Sequence, residues 1–290
     1  MGMTFRLPAL VLLFGAVYGV QSRIDKSFGQ YRAAEEMLYL DRGQAMKRVL
    51  LGFDNVTADL YWLRTVQYFG GKRLAETNKD YRLLEPLLNI TIELDPDFKI
   101  AYSYGATFLS EPFPTGAGLP SKGIEIIDKG IARHPEHWRF YLDKGFIYFW
   151  FLNDYEKAAE VFLEGSKLPG APYWMVATAS RMATRGGDRE TARYLWQMLY
   201  ESAETSQQQD NATIHLKQLD ALDEIDLLRK VIVAFHQRAG RYPGGWHELV
   251  DTGFLTKIPV DPTGVAYVMN PETHAVELGS DSKLGALPTE

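Results

Sequence analysis

Apolar positions along this 290-residue chain follow three different rhythms, and each predicts a different kind of element. Over residues 214–239, Leu216, Leu219, Leu222, Ile225, Leu228, Ile232 and Phe235 recur at intervals of three and four, the spacing of one buried stripe on a long amphipathic helix that Gly240 ends. The polar residues 204–211 ahead of it read as a linker, with Asp210 or Asn211 placed to cap the helix. Upstream, whole helix-length phrases return: residues 153–162 reappear as 187–196, so that Asp154 maps to Asp188, Ala158 to Ala192 and Phe162 to Trp196. Residues 123–130 stand one further step back, closing on Gly130 as the later phrase closes on Gly165. Past Gly240 the rhythm shortens to a tight turn at Tyr242 and Pro243, a short helix around Trp246 to Val250, and a hairpin ending in a strand over 275–278.

A period near 34 residues marks a helical-repeat array, in which each helix pair is too small to bury its own apolar face and stacks on its neighbours. The predicted fold class is therefore mostly α: a helical-repeat array, then a long helix, then a small C-terminal β-hairpin module. The predicted segments are 1–23 (signal anchor or signal sequence), 24–54 (helical lead-in), 55–202 (repeats), 203–239 (linker and long helix) and 240–290 (β module and polar tail).

The slot residues Leu142, Gly145, Phe146, Phe149, Ala158, Phe162 and Pro169 in one unit, and Val176, Ala179, Ser180, Ala183, Ala192 and Trp196 in the next, resemble the tetratricopeptide repeat (TPR) family. Packing explains such a pattern, because a small residue lets two helices approach where they cross and an aromatic fills the space beside it. The resemblance spans roughly half the chain. It implies a concave groove that binds peptide segments, with groove-facing positions at Asp143, Ile147 and Trp150 in one unit and at Ala177, Arg181 and Thr184 in the next. Asp143, Trp150 and Arg181 are the candidate partner-binding residues.

The last fifty residues, with Tyr242-Pro243, Leu255-Thr256-Lys257-Ile258-Pro259 and Asp261-Pro262-Thr263-Gly264-Val265-Ala266-Tyr267, resemble the C-terminal region of type II secretion pseudopilins. Pro262 sets φ at a strand entry, Gly264 supplies a turn and Tyr267 covers the small sheet. Pseudopilins end in a calcium loop; here Asp281 and Ser282 offer too few oxygen donors, and 279–282 reads as a polar tail. With phrases such as Ala58-Asp59-Leu60-Tyr61-Trp62-Leu63-Arg64, the whole chain is similar to bacterial TPR proteins with an N-terminal membrane segment.

That segment is the uncharged run of residues 7–20, between Arg6 and Arg23. As a helix it would rise about 21 Å, short of a hydrocarbon core of roughly 30 Å. The length suits a signal sequence cleaved after Gly19 or a short anchor with its flanking arginines at the interfaces. The expected location is the inner membrane, facing the periplasm, or the periplasm after cleavage.

Net charge of −6 and the absence of a basic stripe argue against a nucleic-acid surface. The chain has no cysteine, which removes disulfides, thiolate nucleophiles and cysteine-ligated metals. His134 and His137 have the spacing of two metal ligands without a third nearby in sequence, and Asp220, Asp223, Glu224 and Asp226 read as a solvated or salt-bridged helix face rather than an acid/base pair. No phosphate loop or serine nucleophile elbow is present, so no catalytic residue, metal, cofactor or small-molecule substrate is predicted. The expected function is that of a membrane-tethered adaptor recruiting a protein partner to a bacterial envelope assembly. A pilus or secretion-machine subunit working through its tail is the next reading, and an envelope enzyme the third.

Overall fold

The computed structural model describes residues 15, 17–20, 22–23, 47, 50–75 and 79–288. The apolar run over 7–20 and the lead-in over 24–54 lie mostly outside the described residues. Among the described residues no helix is long and apolar enough to cross a membrane. The chain is mostly α, with one small two-stranded antiparallel sheet, and forms two compact units, one through Lys122 and one from Gly123 onward.

In the first unit, α1 (Asp54–Leu74) lies against α2 (Leu84–Leu94), and α3 (Lys99–Ser110) follows. Ala58 and Tyr61 of α1 bury themselves on Leu87, Ile90 and Leu94 of α2. Two buried threonines sit within these helices without cost, because Thr65 and Thr91 each donate to the carbonyl four residues back. Gly105 lets α3 close on Leu88: a methyl group there would stand 2.5 Å from the leucine Cδ2.

The second unit is a succession of helices: α4 (Pro120–Arg133), whose first turn straddles the division, α5 (Trp138–Ile147), α6 (Tyr155–Ser166), α7 (Trp174–Arg185), α8 (Arg189–Glu201), α9 (Ser206–Ala239) and the short α10 (Trp246–Asp251). From α5 to α9 each helix packs on the next. The positions matched at 34 residues behave alike. Asp154 and Asp188 are N-caps that accept from the backbone N–H three residues on, Ala158 and Ala192 are fully buried, and Phe162 and Trp196 fill the core beside them. Glycine again marks the closest crossings, since a Cβ on Gly145 would stand 2.6 Å from the Phe162 ring and one on Gly165 would meet Met175 and Tyr141. Between α5 and α6 a π-helical turn, Tyr148–Leu152, ends on Asn153 in the left-handed region.

The expected linker over 204–211 is helix from Ser206 onward. Thr205 accepts from the Gln208 N–H while the Gln208 side chain reaches back to the Thr205 N–H, a reciprocal cap that starts α9 well before its apolar stripe begins. Gly240, at φ 72°, ends the helix as its sequence predicts.

The C-terminal hairpin is smaller than expected: β1 (Val268–Met269) pairs with β2 (Val276–Glu277), and Val260 bridges Ala266. Its core with α9 joins Ile225, Leu228, Ile232 and Phe235 to Trp246, Leu249, Tyr267, Val276 and Leu284. Tyr267 is buried as predicted, donating its hydroxyl to Glu224 at 2.6 Å while its carbonyl accepts from the Trp246 indole at 2.7 Å. Burial, reinforced by the Glu224 carboxylate, drives the Tyr267 hydroxyl well above the ordinary tyrosine range, so it stays a donor. Asp261 gathers the Thr263 and Val265 N–H groups and the Thr263 and Ser282 hydroxyls, which hold its carboxyl below the usual range against the opposing effect of burial. Ser282, read from sequence as part of a polar tail, is thus a tie that fastens the tail to the turn.

Candidate functional site

A cleft of about 490 Å³ opens in the second unit, between α7 and α9. Its apolar lining is Phe146, Phe149, Met182, Trp196 and Leu219; its polar lining is Thr178, Arg181, Thr184, Arg185, His215 and Gln218; and Ala286 and Pro288 of the tail close one wall. The volume is that of a site for several side chains rather than a packing defect.

Helix periodicity assembles the polar wall. Thr178, Arg181, Met182 and Arg185 recur at threes and fours on α7, so all four face the same way. The Thr178 hydroxyl donates to the Trp174 carbonyl at 2.9 Å and accepts from Arg181 at 3.2 Å. Thr184 commits its hydroxyl proton to the Ser180 carbonyl. Arg181 finds no carboxylate among the described residues. Although the residue is exposed, the protein around its guanidinium displaces enough water to draw it below its ordinary pKa. Arg185 also lacks a carboxylate among the described residues; its guanidinium lies over the rings of Phe149 and Tyr155, 5.6 and 5.7 Å from their centroids.

The opposite wall is set by Gln218. Its amide donates to the Leu284 carbonyl at 2.7 Å and to that of Ala286 at 3.4 Å, so its oxygen is left to accept from His215 Nδ1 at 2.7 Å. The network therefore assigns the Nδ1–H tautomer to His215 and leaves Nε2 an acceptor. The imidazole stacks on Trp196 at 4.1 Å. Burial outweighs the opposing hydrogen bond to Gln218 and, with the Arg181 charge adding to it, pushes the His215 pKa down and favours the neutral ring.

The three predicted partner-binding residues are distributed unequally. Arg181 lines the cleft. Trp150 is 60% exposed and stacks on Phe146 at 4.3 Å, which places it beside the cleft through that ring. Asp143 is half-buried on α5 and is not among the lining residues, so it does not join the other two. The expected groove positions Ile147, Ala177 and Thr184 are all buried, and of these only Thr184 is among the residues lining the cleft. Sequence reasoning missed Arg185, His215, Gln218 and the tail residues. For Arg185 a signal existed, a second arginine one turn beyond Arg181; His215 and Gln218 lie on α9, outside the repeat register.

Elsewhere the candidate chemistry is occupied structurally. Asp220, Asp223 and Asp226 pair with Arg189 and Arg193, and Glu224 takes the Tyr267 hydroxyl. His137 packs edge-on against Phe140 at 4.6 Å. Among the described residues no three His, Cys, Asp or Glu side chains come together as a metal site. No family model, curated protein or solved structure matches this chain, so the reading of the cleft rests on its own geometry.

Proposed function

We propose that the protein is a membrane-tethered, TPR-like adaptor whose concave cleft docks a segment of a protein partner in a bacterial envelope assembly. The observation that carries this reading is the cleft itself: a partly aromatic trough built on successive helices, with an arginine pair that meets no carboxylate among the described residues and an exposed tryptophan stacked at its edge. Buried aromatics and arginines are the residue types that dominate interface energy. The 34-residue correspondence of caps, small residues and aromatics supports the repeat reading, and the apolar run at 7–20 supports the tether.

The C-terminal module belongs to the same design. Tail residues 284–288 are held by Gln218 and form part of the cleft wall, which favours the groove over a free polymerising tail as the working surface. The pseudopilin-like region is then a buttress for α9. The test is a pull-down from detergent-solubilised membranes with the full chain and with combined Trp150→Ala and Arg181→Ala changes, Asp143→Ala serving as a control outside the cleft. Loss of the captured protein from the double variant with helix content unchanged is the expected result; equal capture by the double variant and the unaltered chain contradicts a groove-based adaptor.

A further inference from the structure

We infer that the cleft takes an acidic peptide segment, its carboxylate held by Arg181 and Arg185 and an adjacent aliphatic or aromatic side chain seated on the half-buried rings of Phe146 and Phe149. This rests on the adaptor reading and names the chemistry of its ligand.

Charge complementarity selects this occupant. A guanidinium carries five N–H donors in a planar fork. Among the described residues Arg181 meets one acceptor, Thr178, and Arg185 meets only ring faces. The α9 surface facing them supplies His215, Gln218 and Leu219, none of which is an anion, although the chain as a whole is acidic. Thr178 and Thr184 have already spent their protons on backbone carbonyls, and the Gln218 amide is spent on the tail. The unspent side-chain donors of the cleft are therefore guanidinium N–H groups, and its unspent acceptors include His215 Nε2. A carboxylate answers the first and a peptide N–H the second. The rest of the lining is apolar, which suits a neighbouring hydrophobic side chain rather than a bare ion.

Arg181 is exposed and its guanidinium makes one hydrogen bond, to Thr178, so little of the fold's stability depends on it. Replacing Arg181 with a neutral residue should leave the fold at least as stable as before.

The test is a selection of phage-displayed random dodecapeptides against the full chain in detergent micelles, followed by calorimetric titration of the strongest binder. The selected peptides should carry Asp or Glu beside an aliphatic or aromatic residue. An amide twin, with Asn or Gln for the acid, should bind about tenfold more weakly or worse, the scale of one lost charge-assisted hydrogen bond. Arg181→Gln and Arg185→Gln should lower affinity for the acid peptide by a similar factor and leave the amide twin almost unaffected, while the melting temperature holds or rises. Arg181→Lys should retain part of the affinity. Binding that is lost in Trp150→Ala but indifferent to the amide swap and to Arg181→Gln would overturn the acidic-ligand inference and leave the groove reading standing. Failure of the selection to yield any cleft-dependent peptide would overturn both. Binding that appears only after residues 289 and 290 are removed would assign the cleft to the chain's own end and overturn the inference of an external partner.

Discussion

Helices α7 and α8 each carry two arginines four residues apart, and α9 meets the second pair with aspartates but not the first. On α8, Arg189 reaches Asp226 at 2.6 Å and Asp223 at 3.0 Å, while Arg193 reaches Asp223 at 2.7 Å and also holds Asp220. On α7, Arg181 lines the cleft with His215, Gln218 and Leu219 of α9 in place of aspartates, while Arg185 lies over the rings of Phe149 and Tyr155. The electrostatic result is opposite in sign. For Arg193 partial loss of water alone would lower the pKa, but the hydrogen bonds and charges of Asp220 and Asp223 outweigh it and raise the value; for Arg181, itself an exposed residue, no carboxylate opposes the lowering. One pair is a clasp between helices and the other is an open fork. A helix long enough to span both can close one surface and leave the other for a ligand.

The largest effect should come from breaking the frame that presents both pairs. Ala192 is fully buried where α8 enters the core, and Ala192→Leu should overpack that crossing at a cost of about 1–3 kcal/mol, read as a drop of several degrees in the thermal melt. Ala158→Leu should behave alike in the preceding unit. Unchanged melting in both variants would refute the equivalence of the two positions.

A smaller loss should follow from opening the clasp. The double change Arg189→Gln and Arg193→Gln strands three aspartates close together, but these groups are partly open to solvent, so the expected cost is on the order of 1 kcal/mol and should shrink in high salt. Arg181→Gln and Arg185→Gln should cost nothing measurable by the same melt. If the α7 changes destabilise as much as the α8 changes, the fork is structural and not a binding surface.

Acid should produce a further, graded loss. The His215 pKa is depressed in the folded chain, below its ordinary 6.5, so the unfolded chain binds the proton more readily. Its contribution to stability is present above pH 6.5 and is lost as pH falls through the folded value. His215→Gln should flatten that part of the stability profile in denaturant titrations run at successive pH values. A profile unaltered by the substitution would show that the ring titrates normally.

Legibility from sequence followed the range of the physics involved. Local rules were enough for Gly240 at the end of α9, for the buried pair Ala158 and Ala192, and for Tyr267 under the hairpin, because each depends on spacing or on a single backbone requirement. The reciprocal cap of Thr205 and Gln208 is also local, yet it is hidden in a polar stretch that composition alone marks as a linker. The cleft was legible only in part. Arg181 and the edge residue Trp150 follow from the repeat register, but Asp143 does not share their surface, and the opposite wall depends on Gln218 meeting carbonyls 66 and 68 residues away. No periodicity encodes a contact of that separation. It arises from the tail packing along α9, a consequence of tertiary burial around Leu284.

If the open fork is the docking surface, a partner should contact residues beside the cleft and not other exposed positions of the second unit. Site-specific photo-crosslinking in intact cells tests this most directly, with a photoreactive residue placed either at position 150, beside the cleft, or at position 194, where Tyr194 of α8 is 69% exposed and does not line it. A discrete crosslinked partner band from position 150, absent from position 194 and lost when Arg181→Gln is added, is the predicted result. The same band from both positions, or one from position 194 alone, would contradict it.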